Sequence, residues 1–227
     1  PEKFNFNIEI LGIPNHPNPI KKNEYIADNE RIAFSSQVLN ILQQIESCAQ
    51  LPSFEKAGMR EKLFHEPKKT KAAIITCGGL CPGLNNVIKG LVNVLELEYG
   101  IQDIVGIRYG YLGLSKKSRH EPINLKLENI DQIHKQGGTI LGSSRGNQDP
   151  ADMVDQLVSK GINVLFCIGG DGTLKGANAI AEEVKKRRLL ISVVGIPKTI
   201  DNDLSFVEKT FGFETSVQIA SDIITSA

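Results

Sequence analysis

From Ala72 onward the chain repeats one pattern: a short run rich in β-branched residues, a glycine-rich or charged loop, then an amphipathic segment of helical period. The runs lie at 72–77, 103–108, 162–168 and 190–196. Strands that alternate with helices wind a parallel sheet through βαβ units, with helices on both of its faces. The pattern therefore predicts an α/β fold, a doubly wound three-layer sandwich with a mainly parallel sheet. It also places the site. The runs end in Gly78-Gly79-Leu80-Cys81-Pro82-Gly83, Arg108-Tyr109-Gly110-Tyr111, Gly169-Gly170-Asp171-Gly172-Thr173 and Pro197-Lys198-Thr199-Ile200-Asp201-Asn202-Asp203. All four loops fall on one sheet edge, and open α/β sheets bind ligands beyond the carboxyl ends of their strands.

The intervening helices carry their own signals. Asp149 and Pro150 form an N-cap and first-position pair, Met153, Val154, Leu157 and Val158 give the apolar stripe, and Gly161 is placed to stop the helix. Leu174, Ala177, Ile180, Ala181 and Val184 repeat the stripe after the third loop, and Val87, Ile88, Leu91, Val92 and Leu95 form another that ends near Gly100. All three should pack on the sheet.

Residues 1–70 differ in character. A Pro-Asn-His-Pro-Asn-Pro stretch at 14–19 precedes Lys21 and Lys22, and a helix-like segment from Ser36 to Gln50 carries Val38, Leu39, Ile41, Leu42 and Ile45. This reads as an N-terminal arm (1–70) before an α/β domain (71–227). The chain starts on Pro1, and the helix-like segment Thr215–Ala227 has no Gly or Asn stop, so more chain is expected after it.

With 227 residues, 41% of them hydrophobic, there is material for one sizeable core and too little length for two full domains. Lys plus Arg and Asp plus Glu each number 26. A net charge of zero gives no field to draw the chain to nucleic acid or an anionic membrane, so any anion must be held locally. Lys185-Lys186-Arg187-Arg188 reads as a solvated helix end. Cys48, Cys77, Cys81 and Cys167 include one C-x3-C pair but no second pair for a tetrahedral zinc site, so reduced, buried thiols are expected. Without an apolar run of about 18 residues, a soluble cytoplasmic protein is the expectation.

Gly78-Gly79 and Gly169-Gly170 each join a strand to a helix, where missing side chains let phosphate oxygens reach backbone N–H groups. A tight turn explains either pair alone equally well; two on one edge favour an anion cradle. Asp171, between glycines, suits Mg²⁺, which takes one or two carboxylates plus water and phosphate oxygens; capping the following helix accounts for it as well, and leads when the residue is taken alone. If strand geometry persists past Pro197, Thr199, Asp201 and Asp203 share one side, with Lys198, Ile200 and Asn202 on the other. Two such carboxylates beside a phosphate loop suit a general base and its partner. An Asx-rich turn explains the Asp and Asn residues but not the Lys-Thr before them. Arg145, in Gly142-Ser143-Ser144-Arg145-Gly146, is suited to bridging phosphates, or is an ordinary surface Arg. Tyr109 and Tyr111 fit a base-stacking platform and half-buried structural aromatics equally.

Together, Gly78-Gly79…Pro82-Gly83-Leu84-Asn85, Gly137-Gly138-Thr139…Leu141-Gly142-Ser143-Ser144-Arg145, Gly169-Gly170-Asp171-Gly172-Thr173 and Pro197-Lys198-Thr199-Ile200-Asp201-Asn202-Asp203 resemble the 6-phosphofructokinase family in order and spacing, over residues 72–217. Ala57-Gly58-x-Arg60-Glu61-Lys62 is similar to the longer-armed branch of plants, trypanosomatids and spirochaetes. The resemblance implies Asp201 as general base on the 1-hydroxyl of fructose 6-phosphate, with Thr199, Ile200 and Asp201 at the substrate. It implies Gly78, Arg145, Gly146, Gly170, Asp171, Gly172 and Thr173 around the donor, and Asp171 on Mg²⁺.

For the donor the markers are mixed. In the family, pyrophosphate-dependent enzymes usually have Asp where Gly172 stands, and it would intrude on a nucleotide α-phosphate; Lys198 resembles the pyrophosphate enzymes. The long-armed branch combines this Gly and Lys while using ATP, so ATP is the expected donor, with pyrophosphate the alternative. The resemblance further implies a homo-oligomer, tetramer or dimer, under allosteric control, in the cytoplasm or an organelle such as a glycosome or plastid. The family's second domain, with its sugar-phosphate clamp, is expected beyond Ala227, leaving this stretch inactive by itself. NAD and lipid kinases share the Gly-Gly-Asp-Gly-Thr loop but lack its companions. A non-catalytic regulatory subunit is the rival of another class, and intact Asp171, Asp201 and Arg145 argue against it.

Overall fold

The computed structural model describes residues 8–34, 36–47, 53–205 and 207–226, which fall into two compact units, Pro1–Glu66 and Pro67–Ala227. The first unit holds two short antiparallel ribbons and a helix: β1 (His16–Pro17) pairs with β4 (Lys62–Leu63), β2 (Arg31–Ala33) pairs with β3 (Ser53–Glu55), and α1 covers Val38–Ser47. Of the helix-like segment expected at 36–50, the helix begins at Val38, and the last three residues lie outside the described ones; Val38, Leu39, Leu42 and Ile45 are exposed. Buried Asn18 closes the β1–β4 ribbon, its amide donating to the Arg60 carbonyl at 2.9 Å. Gly58, at φ +144°, passes so close to Ile26 that a Cβ would lie 2.5 Å from its Cγ1.

After a 3₁₀ turn at Pro67–Lys69, the second unit runs β5 (Lys71–Cys77), α2 (Leu84–Asn93), a π-helical turn (Val94–Glu98), β6 (Asp103–Gly106), α3 (Gly110–Gly113), β7 (Ile123–Asn124), α4 (Leu127–Ile130) and a second 3₁₀ turn at Ile133–Lys135. Then follow α5 (Pro150–Ser159), β8 (Val164–Gly169), α6 (Asp171–Lys186), β9 (Ser192–Pro197) and α7 (Phe213–Ser226). The five-stranded sheet has the order β7-β6-β5-β8-β9, and only β7 is antiparallel. All four expected strands are present, within two residues at each end. The two-residue β7 and the single turns α3 and α4 carry too few residues to establish a period, so the sequence pattern passed over them.

Side chains of β5 alternate between two cores. Ala73, Ile75 and Cys77 pack with Met153, Val154 and Leu157 of α5 and Ala177, Ile180 and Val184 of α6. Ala72 and Ile74 pack with Leu84, Ile88 and Val92 of α2 and Ile130 of α4. A central strand buried on both faces, between two helical layers, is the three-layer sandwich. Asp149 caps α5 by accepting from the Ala151 amide at 3.1 Å, with Pro150 next to it, and Gly161 leaves the helix at φ +66°. These are the start and stop expected. No helix of the described residues is long and apolar enough to cross a membrane.

Candidate donor-phosphate site

The carboxyl ends of β5, β8 and β9 open on a cleft of about 710 Å³. Gly78, Arg145, Gly146, Gly170, Gly172, Thr173 and Lys198 line it, joined by Gly79, Asn147, Gln148, Lys175 and Gly176. Six of the seven residues expected around the donor therefore meet, together with the donor-specificity residue Lys198, although they come from four separated segments; Asp171 stands next to Gly172 without lining the cleft itself.

Hydrogen bonds across the sheet edge fix the loops. Gly78, at φ +82°, donates its amide to the Ser144 carbonyl at 3.1 Å, and its own carbonyl accepts from Ser143 Oγ at 2.6 Å. Ser144 Oγ donates to the Tyr109 carbonyl at 2.7 Å. Below them, the buried Thr76 hydroxyl donates to the Gly142 carbonyl at 2.7 Å, and Asn85 Nδ2 and Oδ1 hold the Gln136 carbonyl and the Ile140 amide at 3.0 and 2.9 Å. Thr139 lies 3.0 Å from the Thr76 hydroxyl, oxygen to oxygen. Thr139 and Asn85, read from the sequence only as motif letters, are thus braces that hold the Arg145 loop against β5.

Two cations face this cradle. Lys198 is 5% exposed and Arg145 is exposed, and neither makes an ion pair with a described carboxylate. Lys198 Nζ and an Arg145 Nη each lie 3.8 Å from the point that a Cβ on Gly79 would occupy. A buried ammonium without a carboxylate partner is costly unless an anion completes it, so this pair beside the empty Cβ position reads as a receptor for phosphate oxygens. Opposite, α6 starts directly at Asp171, where the helix ladder offers the first amides no acceptor. A Cβ on Gly172 would meet nothing within 4 Å. The space beside it belongs to the cleft.

Asp171 is not a cap. Gly170 is the N-cap residue and α6 has no side-chain cap hydrogen bond. The Asp171 carboxylate is 70% exposed and accepts from Lys175 Nζ at 2.7 Å. An ammonium at that oxygen is a stand-in for a cation. Among the described residues no three His, Cys, Asp or Glu groups gather into a metal site. One carboxylate fits an ion that takes its other oxygens from phosphate and water, and does not fit a metal caged by protein alone.

The alternation expected past Pro197 does not occur. β9 ends at Pro197, and Thr199 Oγ1 accepts from the Asp201 amide at 3.2 Å, closing a turn. Asn202 stands at φ +53° and its side chain spans to the Glu208 carbonyl and the Thr210 amide at 3.0 and 2.9 Å. Hydroxyl and amide side chains competing for backbone partners win over extension here. The two carboxylates nonetheless differ. Asp203 accepts from Thr199 Oγ1 at 2.5 Å, whereas Asp201 is exposed and its side chain bonds no described residue. Thr199 is buried, and Thr199, Ile200 and Asp201 follow Lys198 without themselves lining the cleft.

Cys77, Cys81 and Cys167 are free and buried, as expected; Cys48 lies outside the described residues. Burial pushes the thiols of Cys77 and Cys167 up to about 12.

Comparison with known proteins agrees with this geometry. The family model described as Phosphofructokinase matches residues 71–227. The curated ATP-dependent 6-phosphofructokinase of Borreliella burgdorferi is 44% identical over 235 aligned residues, covering 100% of this chain and 52% of its own length. That of Trypanosoma cruzi is 50% identical over 173 residues, covering 76% of this chain and 36% of its own. The chain thus spans about half the length of the first of these relatives and less of the second. Among solved structures, Pichia pastoris phosphofructokinase in the T-state superposes with a TM-score of 0.61 at 28% identity, over 68% of this chain and 18% of that one. Sheet order, the phosphate-loop cleft and these matches converge: the chain belongs to the phosphofructokinase family.

Proposed function

We propose that the protein carrying this chain is an ATP-dependent 6-phosphofructokinase, in which residues 1–70 form an arm and residues 71–227 the donor and catalytic domain. The carrying observation is the pair of cations, Lys198 and Arg145, paired with no described carboxylate, each 3.8 Å from the Cβ position of Gly79 and lining the cleft that Gly172 also lines. Backbone amides at Gly79 and the start of α6 orient the β- and γ-phosphates, and Arg145 and Lys198 take up charge as it spreads over the transferring group. Gly146, Gly170 and Thr173 wall the cleft, and Gly172 leaves room for the α-phosphate and nucleoside that pyrophosphate lacks. Both relatives are named as ATP-dependent enzymes, which supports the same donor.

Asp201, whose carboxylate bonds no described residue, accepts the proton of the fructose 6-phosphate 1-hydroxyl as that oxygen bonds to the γ-phosphorus. The bond to the bridging oxygen breaks, giving fructose 1,6-bisphosphate and ADP. Thr199 and Ile200 shape the substrate side, and the Thr199–Asp203 bond holds the turn that presents Asp201. Asp171 would hold Mg²⁺, released from Lys175; when bound, the ion neutralises charge on the donor's phosphate oxygens. The test is a donor assay on the full-length gene product: turnover of fructose 6-phosphate with Mg-ATP is expected. Turnover with pyrophosphate alone would reverse the donor, and nucleotide binding without turnover would make the protein a regulatory subunit.

A further inference from the structure

We infer that Tyr111 is a positioning residue for the donor loop: its hydroxyl and ring hold the first turn of α6, and with it Asp171, Gly172 and Thr173. The inference rests on the phosphoryl-transfer reading of the cleft. Tyr111 stands on the one-turn helix α3, whose entry is fixed by Tyr109 at φ +59° and Gly110 at φ +56°. A Cβ on Gly110 would lie 2.5 Å from Cys77 Sγ and 2.8 Å from the Thr76 carbonyl oxygen, so α3 is seated directly on β5. From there the Tyr111 hydroxyl donates to the Thr173 carbonyl at 2.6 Å. The ring runs beneath Gly176, where a Cβ would come within 2.6 Å of Cε2 and 3.1 Å of the hydroxyl oxygen. One side chain therefore grips α6 at two points a turn apart.

Packing alone does not require the hydroxyl. Phe would fill the same core volume, and a buried hydroxyl costs free energy unless it is bonded. The Thr173 carbonyl already serves the helix ladder, so this second bond relieves no orphaned acceptor. What it adds is a link from β5 to the loop on which Asp171, Gly172 and Thr173 are mounted. Burial drives the phenol far above its ordinary range, so it remains a donor at any working pH. A stacking platform for the base is the poorer reading, because Tyr111 is 7% exposed and its hydroxyl is committed.

The test compares Tyr111→Phe with the parent, both as full-length protein. Loss of the link should lower kcat about tenfold with KM for fructose 6-phosphate unchanged, since misplacement of a donor group by a fraction of an ångström penalises the transition state. Amide hydrogen exchange at residues 171–175 should rise at least fivefold while exchange in β5 and β8 stays as in the parent. A kcat within twofold of the parent, or a rise in exchange spread evenly over the sheet, would overturn the inference and leave Tyr111 a structural residue. If the Phe variant fails to fold, Gly176→Ala presses a methyl on the same ring from the helix side; it should produce the same localised rise, and its absence overturns the proposal. The exchange measurement needs no turnover, so it decides the inference even if the donor proves to be pyrophosphate or the protein proves non-catalytic.

Discussion

Replacing Gly172 by Asp separates the donor argument from folding. Gly172 is the second residue of α6 and exposed; a Cβ added to it would meet nothing within 4 Å, and its φ is not left-handed. An acidic side chain in the first turn of a helix is favourable by about 0.3–1 kcal/mol, so the variant should fold at least as well as the parent. Its carboxylate would stand in the space assigned to the donor's α-phosphate. Taking a separation of about 6 Å and an effective dielectric of about 20, one added charge opposes one unit of phosphate charge by about 3 kcal/mol. That corresponds to about a hundredfold in kcat/KM for ATP. Steady-state kinetics with Mg-ATP, alongside a thermal melt to verify folding, give the comparison. A Gly172→Asp protein with parental kcat/KM for ATP would refute both the electrostatic and the steric reasoning and detach residue 172 from donor choice.

Other perturbations test the remaining parts of the site. Asp201→Asn should leave substrate and nucleotide binding nearly intact while kcat falls by ~10²–10⁴-fold, the usual contribution of a general base; an unchanged kcat removes Asp201 from that role. Asn85→Ala orphans the Gln136 carbonyl and the Ile140 amide, so stability should drop by about 2–4 kcal/mol in a denaturant titration, and a loss below about 0.5 kcal/mol would show that water replaces the bridge. The thiols of Cys77 and Cys167 titrate higher folded than unfolded because burial penalises the thiolate. Their stabilisation is complete below the ordinary value of 9.0 and is lost as pH climbs through about 12. Urea midpoints should therefore decline between about pH 9 and about pH 11, and more shallowly in a Cys77→Ala, Cys167→Ala double variant; identical slopes would place the alkaline transition elsewhere.

The sequence alone determined the layers and the sheet edge that carries the site. Strands β5, β6, β8 and β9 and helices α2, α5 and α6 were legible because period and punctuation are local: each buries a stripe whose spacing is set by its own backbone geometry. The glycines at 78–79 and 169–170 were legible for the same reason, since the chain needs them where it turns. Only the tertiary structure decided which groups meet. That Asp171 pairs with Lys175 instead of capping, that Thr199 and Asn202 fold the Lys198–Asp203 segment into a turn, and that Asp203 is engaged while Asp201 is not, all depend on partners brought near by the fold. Tyr111 is the clearest case. Sequence left it undecided between base platform and core aromatic, because its bond to the Thr173 carbonyl spans 62 residues of chain and no local pattern encodes a contact made across a sheet.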